Sequence, residues 1–356
     1  MTHASSKWIA ARRKPRPLPV MRASALSRYC NFLQSVGAPA ERLLEEAGIP
    51  PLVLAYPRAL IAASSAYRFG ELACRNLGTE HLGLHVAKGE TLADIPVYGP
   101  MAAKERTVRD YLIRGSQMFR IQSSEVRFEL ATDGRMIQFR RRFAIKQGLG
   151  TYQSDLEAFA IIINHLRQAL GTAWDPETIS FAYAPEETMP QVEAFGNARI
   201  LQGNADSYLE FPATVLDAAF PLDRTAGTPS YPGRPSEREE VPSRPSDLVT
   251  LQLRTLLPGT DLGIKTVAAS LGLSPRSLQR HLLSEGASYR QLVAETRFDA
   301  ACDWLTNPDM SVQNIAFDLG YTDPANFNRA FRSRAGMPPQ KFRESLAGVA
   351  MARLSA

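Results

Sequence analysis

The chain has 356 residues, 44% hydrophobic and 22% charged, as expected of an ordinary packed globular protein with room for two or three domains. Its net charge of +5 is unevenly spread, with six Lys and Arg and no acid in the first 22 residues but twelve Lys and Arg against ten Asp and Glu from Asp247 onward, so bulk charge alone does not announce nucleic acid. Three scattered cysteines, Cys30, Cys74 and Cys302, form no CxxC pair. They argue against a disulfide framework and for a reduced, intracellular protein, and no stretch has the roughly 18 apolar residues of a membrane span.

Residues 1–22, with "ARRKPRPLP", read as a basic disordered tail, and Met21 is also placed to serve as the initiator. In "SRYCNFLQSVG", "AERLLEEAGIP" and "SSAYRFGELACRNLG" the apolar residues recur at helical spacing, with glycine as the stop signal. The period changes in "EVRFELATDGRMIQFRRRF", where Val126, Phe128 and Leu130 alternate with Glu125, Arg127 and Glu129. Asp133-Gly134 marks a two-residue hairpin turn. A helix from about Tyr152 to Leu170 follows, then short strands in "TISFAY", "ARIL" and "SYLEFP" separated by a helical "MPQVEAFG". Residues 23–222 are therefore expected to form an α+β domain. The Pro-, Gly-, Ser- and charge-rich 223–246 reads as a flexible linker, 247–346 as an all-α domain of some seven short helices, and 347–356 as a tail.

Within the all-α region one construction is written twice, about 49 residues apart. In "TVAASLGLSPRSLQRHLLSEG" a helix carrying Val267, Ala268 and Leu271 stops at Gly272, Ser274 caps the next helix and Pro275 takes its first position. Leu278 and Leu282 point inward, so Arg276, Gln279 and Arg280 point outward. In "NIAFDLGYTDPANFNRAFRSRAG", Ala316, Gly320, Asp323, Pro324, Phe327 and Phe331 repeat those roles, leaving Asn326 and Arg329 outside with Ala325 and Asn328 flanking. These outward types suit the major groove. Arg bridges O6 and N7 of guanine, Gln or Asn bridges N6 and N7 of adenine, and Ala meets a thymine methyl. Two helix-turn-helix units in tandem, joined by a helix through "YRQLVAETRFDAACDWL", form a far stronger signal than one.

The segment 247–346 resembles the DNA-binding domain of the AraC/XylS family of bacterial transcription regulators. Ile315-Ala316, Gly320-Tyr321, Phe327, Arg329, Phe331, Gly336, Pro338 and Phe342-Arg343 follow the family's pattern, with Tyr321 and Phe342 replacing the commoner Phe and Tyr. The resemblance implies base contacts from Arg276, Gln279 and Arg280 in the first unit and from Ala325, Asn326 and Arg329 in the second. It implies double-stranded promoter DNA and RNA polymerase as partners, a cytoplasmic, nucleoid-associated protein, and mainly activation. "PETISFAYAPEETMPQVEAFG" and "LEFPATVLDAAFPL" make the front region similar to the arabinose-binding-type sensor domain of a subset of these regulators, which implies an unknown small-molecule effector and leaves homodimerisation open.

Other residues carry weaker readings. Arg141 shares a strand face with Ile137, Phe139 and Phe143; turned inward it would hold a ligand carboxylate, and turned outward it would snorkel at a strand end beside Arg140 and Arg142. His81 and His85, four apart, lack the acidic partner of a metal motif. His281 reads as packing or phosphate proximity, and Cys302 as a small buried hydrophobe. No P-loop, GxSxG, Rossmann glycine pattern or zinc motif is present, so neither catalysis, a cofactor nor a metal is expected. The expectation is a ligand-responsive activator; the alternative is a constitutive or repressing DNA-binding protein whose front domain is an assembly module or an enzyme.

Overall fold

The computed structural model describes residues 18–90, 92, 95, 99–102, 104–189, 192–221, 240–257 and 262–354. Val20–Arg22 (β1), expected to belong to the basic tail, pairs antiparallel with Leu60–Ala62 (β2), Met21 opposite Ile61, and all six residues are buried. Strands of three residues show no alternation, so periodicity misses them. The part of the tail at 1–17 lies outside the described residues. Helices Ser24–Ser35 (α1), Ala40–Glu46 (α2) and Ala63–Leu77 (α3) fall where the periodicity puts them, and Leu82–Ala87 (α4) and the short turns Gly99–Ala102 (α5), Val108–Asp110 (α6) and Ser116–Met118 (α7) follow.

The expected hairpin is present as Val126–Thr132 (β3) and Met136–Phe143 (β4), with Phe128 opposite Arg141. Its turn is longer than expected. Thr132 pairs with Ile137, and the loop between them is organised by the Asp133 carboxylate, which accepts from the Arg135 and Met136 backbone N–H groups at 2.9 and 2.8 Å. The central helix Leu149–Leu170 (α8) is followed by Thr178–Ser180 (β5), Arg199–Leu201 (β6) and Ser207–Pro212 (β7). Together they form a sheet of order β3-β4-β7-β5-β6, antiparallel except for β5–β6. Leu156, Phe159, Ile163 and Leu166 of α8 share its core with Ile137, Phe139, Ile179, Leu209 and Phe211, each large side chain contributing ~1.5–3 kcal/mol by burial. The helix expected in "MPQVEAFG" is a run of turns over the described residues 192–198. Side-chain bonds hold it, Asp175 accepting from the Asn197 N–H at 2.9 Å and Arg167 donating to the Glu193 carbonyl at 3.2 Å.

From residue 240 on, the described residues contain helices and no strand. These are Pro245–Leu256 (α9), Ile264–Ser270 (α10), Pro275–Ser284 (α11), Tyr289–Leu305 (α12), Val312–Asp318 (α13), Pro324–Ala335 (α14) and Pro339–Leu354 (α15), the last continuing through the expected tail. The linker at 223–239 lies outside the described residues. Its far end is anchored, Val241 N–H donating to the Arg120 carbonyl at 3.0 Å. The front and back regions share apolar surface. Val20, Leu60 and Phe69 belong to one apolar core with Leu248, Leu253, Val267 and Leu278; α10 packs on β2, and Gln252 of α9 bonds to the Leu60 backbone.

Candidate nucleic-acid interface

Each recognition helix is built from an N-cap, a proline at its start and two buried residues four apart. In α11 the Ser274 hydroxyl accepts from the Ser277 N–H at 3.1 Å and Pro275 opens the helix. Leu278 and Leu282 are fully buried. Arg276, Gln279 and Arg280 are all exposed, on the stripe left over by that packing. In α14 the Asp323 carboxylate accepts from the Ala325 N–H at 2.9 Å, Pro324 follows, and Phe327 with Phe331 are buried. Ala325, Asn326, Asn328 and Arg329 are exposed, and Arg329 donates to the Asn326 side-chain carbonyl, so these two polar heads stand side by side on one stripe. The turns before both helices need a left-handed residue, supplied by Gly272 at φ +67° and Gly320 at φ +76°.

Between the units α12 is capped by Ser288, whose hydroxyl accepts from the Gln291 N–H at 3.2 Å. Cys302 is half-buried on this helix, and burial pushes its thiol up. Aromatic rings form the floor of the second unit: Phe331 lies 5.2 Å from Phe298, 5.8 Å from Phe327 and 5.4 Å from Phe342 between ring centroids. Two arginines outside the exposed stripe fix this unit. Arg297 lies over the Tyr321 ring at 5.0 Å and donates to the Gly320 carbonyl at 3.4 Å. Arg343 donates to the Leu305 and Met310 carbonyls at 3.2 and 2.6 Å, tying α15 to the α12–α13 connection. Their spacing carries no periodic signal; only the Phe342-Arg343 motif pointed to one of them. His281 is half-buried behind the α11 stripe.

In the front domain Arg141 faces inward, yet the carboxylate it meets belongs to the chain. It is 2% exposed and pairs with Asp155 at 2.6 Å while donating to the Ser154 carbonyl at 2.8 Å and hydroxyl at 3.1 Å. Its guanidinium stacks over Phe128 and Phe143 at 5.5 and 5.0 Å. Asp155 thus occupies the guanidinium where the expectation put a ligand carboxylate. Beside this pair Tyr67 donates to Glu125, whose carboxyl is pushed up to about 7 by burial. A crevice of about 40 Å³ among Tyr29, Tyr67, Gly70, Gly150, Gln153 and Ser154 has room for little more than a water. The two histidines diverge in role: His81 is buried beside Glu187, its pKa lowered by burial, and His85 stacks on Phe32.

No helix among the described residues is long and apolar enough to cross a membrane. The family description "Helix-turn-helix domain" matches residues 267–345, and "Arabinose-binding domain of AraC transcription regulator, N-term" matches residues 37–220. The chain is similar to the ornithine utilization regulator of Pseudomonas aeruginosa, 24% identical over 92% of this chain and 96% of that protein. The regulator VirS of Mycobacterium tuberculosis is 22% identical over 91% and 96%. Among solved structures, the transcriptional regulator CdpR of Pseudomonas aeruginosa covers 90% of this chain and 98% of its own at 18% identity, with a TM-score of 0.39. The relatives named here are transcriptional regulators. The chain belongs to the AraC/XylS family of DNA-binding transcription regulators, with an arabinose-binding-type domain in front of two helix-turn-helix units.

Proposed function

We propose that this regulator is a ligand-responsive activator that reads two successive major-groove segments, about one helical turn or ~34 Å apart, with α11 and α14. The reading rests on one observation: both helices bury an i, i+4 pair and thereby expose Arg276, Gln279 and Arg280 on one and Ala325, Asn326 and Arg329 on the other. In the first unit each arginine addresses guanine and Gln279 adenine. In the second, Arg329 and Asn326 do the same, while Ala325 reaches only a thymine methyl. Phosphate contacts from helix N-termini and other basic side chains supply much of the affinity and a steep salt dependence. Promoter DNA and RNA polymerase are the macromolecular partners, in the cytoplasm at the nucleoid. A homodimer would place two such readers on one promoter and raise their effective concentration there.

The front domain acts as a sensor without catalysing a reaction. Its effector is a small metabolite, and amino acids come first in testing because the ornithine utilization regulator matches along nearly the whole chain. The crevice of about 40 Å³ beside Tyr29, Tyr67 and Gln153 is too small to take such a molecule as it stands. The effector acts by preferring one arrangement of the chain over another. A thermal-shift screen of metabolites on the full chain, followed by promoter binding and transcription with each hit, tests this. A hit that raises the melting temperature yet leaves DNA affinity and transcription unchanged contradicts the sensor role.

A further inference from the structure

In the sheet β1–β2, the backbone of Leu60 meets a side chain of the DNA-binding domain. Gln252, on α9, is 0% exposed. Its Oε1 accepts from the Leu60 N–H at 2.6 Å, and its Nε2 donates to the Leu60 carbonyl at 3.1 Å and to the Ser270 hydroxyl at 2.9 Å. Ser270 in turn donates to the Val267 carbonyl at 2.9 Å, inside α10. A carboxamide offers the same donor and acceptor as a peptide group, so one side chain satisfies both backbone groups that a further strand would otherwise take. Buried as they are, neither group can be left unpaired cheaply.

A second contact lies beside it. Gly272, in the turn of the first helix-turn-helix unit, is so close to the front domain that a Cβ there would stand 2.6 Å from the Ala62 Cβ. The corresponding Gly320 of the second unit is approached by the flexible end of Arg297, whose Nη2 would lie 3.0 Å from such a Cβ. The front domain is thus fitted against the turn of the first unit, and the second unit's turn is backed by its own domain.

We propose that this junction couples the sensor to DNA: Gln252 is a positioning residue that ties Leu60 to α9 and α10, so that DNA on α11 and the state of β2 bias each other. What drives the sensor side rests on the effector reading above. The DNA side does not, and because coupling between two sites is reciprocal, DNA alone is a sufficient probe.

Hydrogen exchange on the full chain, followed by mass spectrometry, tests the coupling with a duplex that the unaltered chain has selected from a random pool. The duplex is expected to slow exchange across residues 58–63 about fivefold or more. Gln252→Leu keeps the bulk and removes both bonds; it should speed exchange there about tenfold in the free chain and abolish the response to DNA, with α14 unchanged. Gly272→Ala should loosen the same segment, and adding Ala62→Gly should restore it. Gly320→Ala carries the same left-handed strain into the second unit and should leave 58–63 alone. A duplex that binds without altering 58–63, a response that survives in Gln252→Leu, or equal loosening by Gly272→Ala and Gly320→Ala overturns the proposal. Should Gln252→Leu fail to fold, the Gly272→Ala and Ala62→Gly pair decides the matter. Absence of any effector hit leaves this result standing, so the two readings fail separately.

Discussion

Behind α11 stand Leu278 and Leu282, in an aliphatic core with Val267, Leu253 and, across the domain junction, Leu60. Behind α14 stand Phe327 and Phe331, in a ring cluster with Phe298, Tyr321 and Phe342. The two units each use a side-chain N-cap followed by proline, a left-handed glycine and the same inward spacing, so their helices form for the same local reasons. They differ in what completes their cores. Within one continuous core, the first unit lies directly against the sensor through α10 on β2, whereas rings from α12 and α15 lie behind Phe331 in the second. A repeated sequence plan therefore specifies the element, and its surroundings decide whether that element reports to another domain.

The largest way to break this comparison is Phe331→Ala. Removing a buried ring should cost ~3–5 kcal/mol in urea denaturation, the loss being confined to the second unit. Leu282→Ala should cost ~2–5 kcal/mol and also loosen β1 and β2, because α10, which α11 packs against, lies directly on β2. Similar exchange at residues 58–63 in both variants would erase the distinction between a shared and a self-contained unit.

A smaller effect separates sensor from DNA-binding domain. Glu125 faces Tyr67 on α3, Arg141 on β4 and Asp155 on α8, and burial raises its carboxyl from 4.5 to about 7. A raised folded-state value means that the folded chain holds the proton more tightly. Stability from this group is then complete below about 4.5 and is lost as pH rises toward 7. The slope is on the order of 1 kcal/mol per pH unit. Glu125→Gln should flatten melting temperature against pH across that window, and an unchanged slope would show that Glu125 does not titrate there. Smaller still, Ser274→Ala and Asp323→Ala should each cost ~1 kcal/mol by removing an N-cap. Thermal melts should show a loss in both variants, since each removes a side-chain bond to a first-turn N–H.

The repeated part was also the most legible. Ser274-Pro275 and Asp323-Pro324, followed by apolar residues four apart, fixed both recognition helices and their exposed stripes from local chemistry alone. The hairpin was legible from alternation, but not its turn, because an Asp side chain bonding two backbone N–H groups lengthens a loop without changing its composition. The β1–β2 pair escaped notice because three buried residues have no period. Arg141 was legible as a choice between an inward and an outward face, but its partner Asp155 lies on a different element, and pairing across elements leaves no mark in spacing. Gln252 did leave one. It sits between Leu248 and Leu256 on the apolar face of α9, a polar residue at a core position, and only the fold supplies the Leu60 backbone that explains it.

Base reading by both units is tested most directly by a titration at fixed salt of the full chain, Arg280→Ala and Arg329→Ala against a selected duplex and a random one. Each substitution should cost ~1–3 kcal/mol on the selected duplex, with far less change on random DNA. Each should relax preference only in the half of the site that its own helix reads. Equal losses on selected and random DNA would contradict the account, since both arginines would then be phosphate contacts and neither helix a reader.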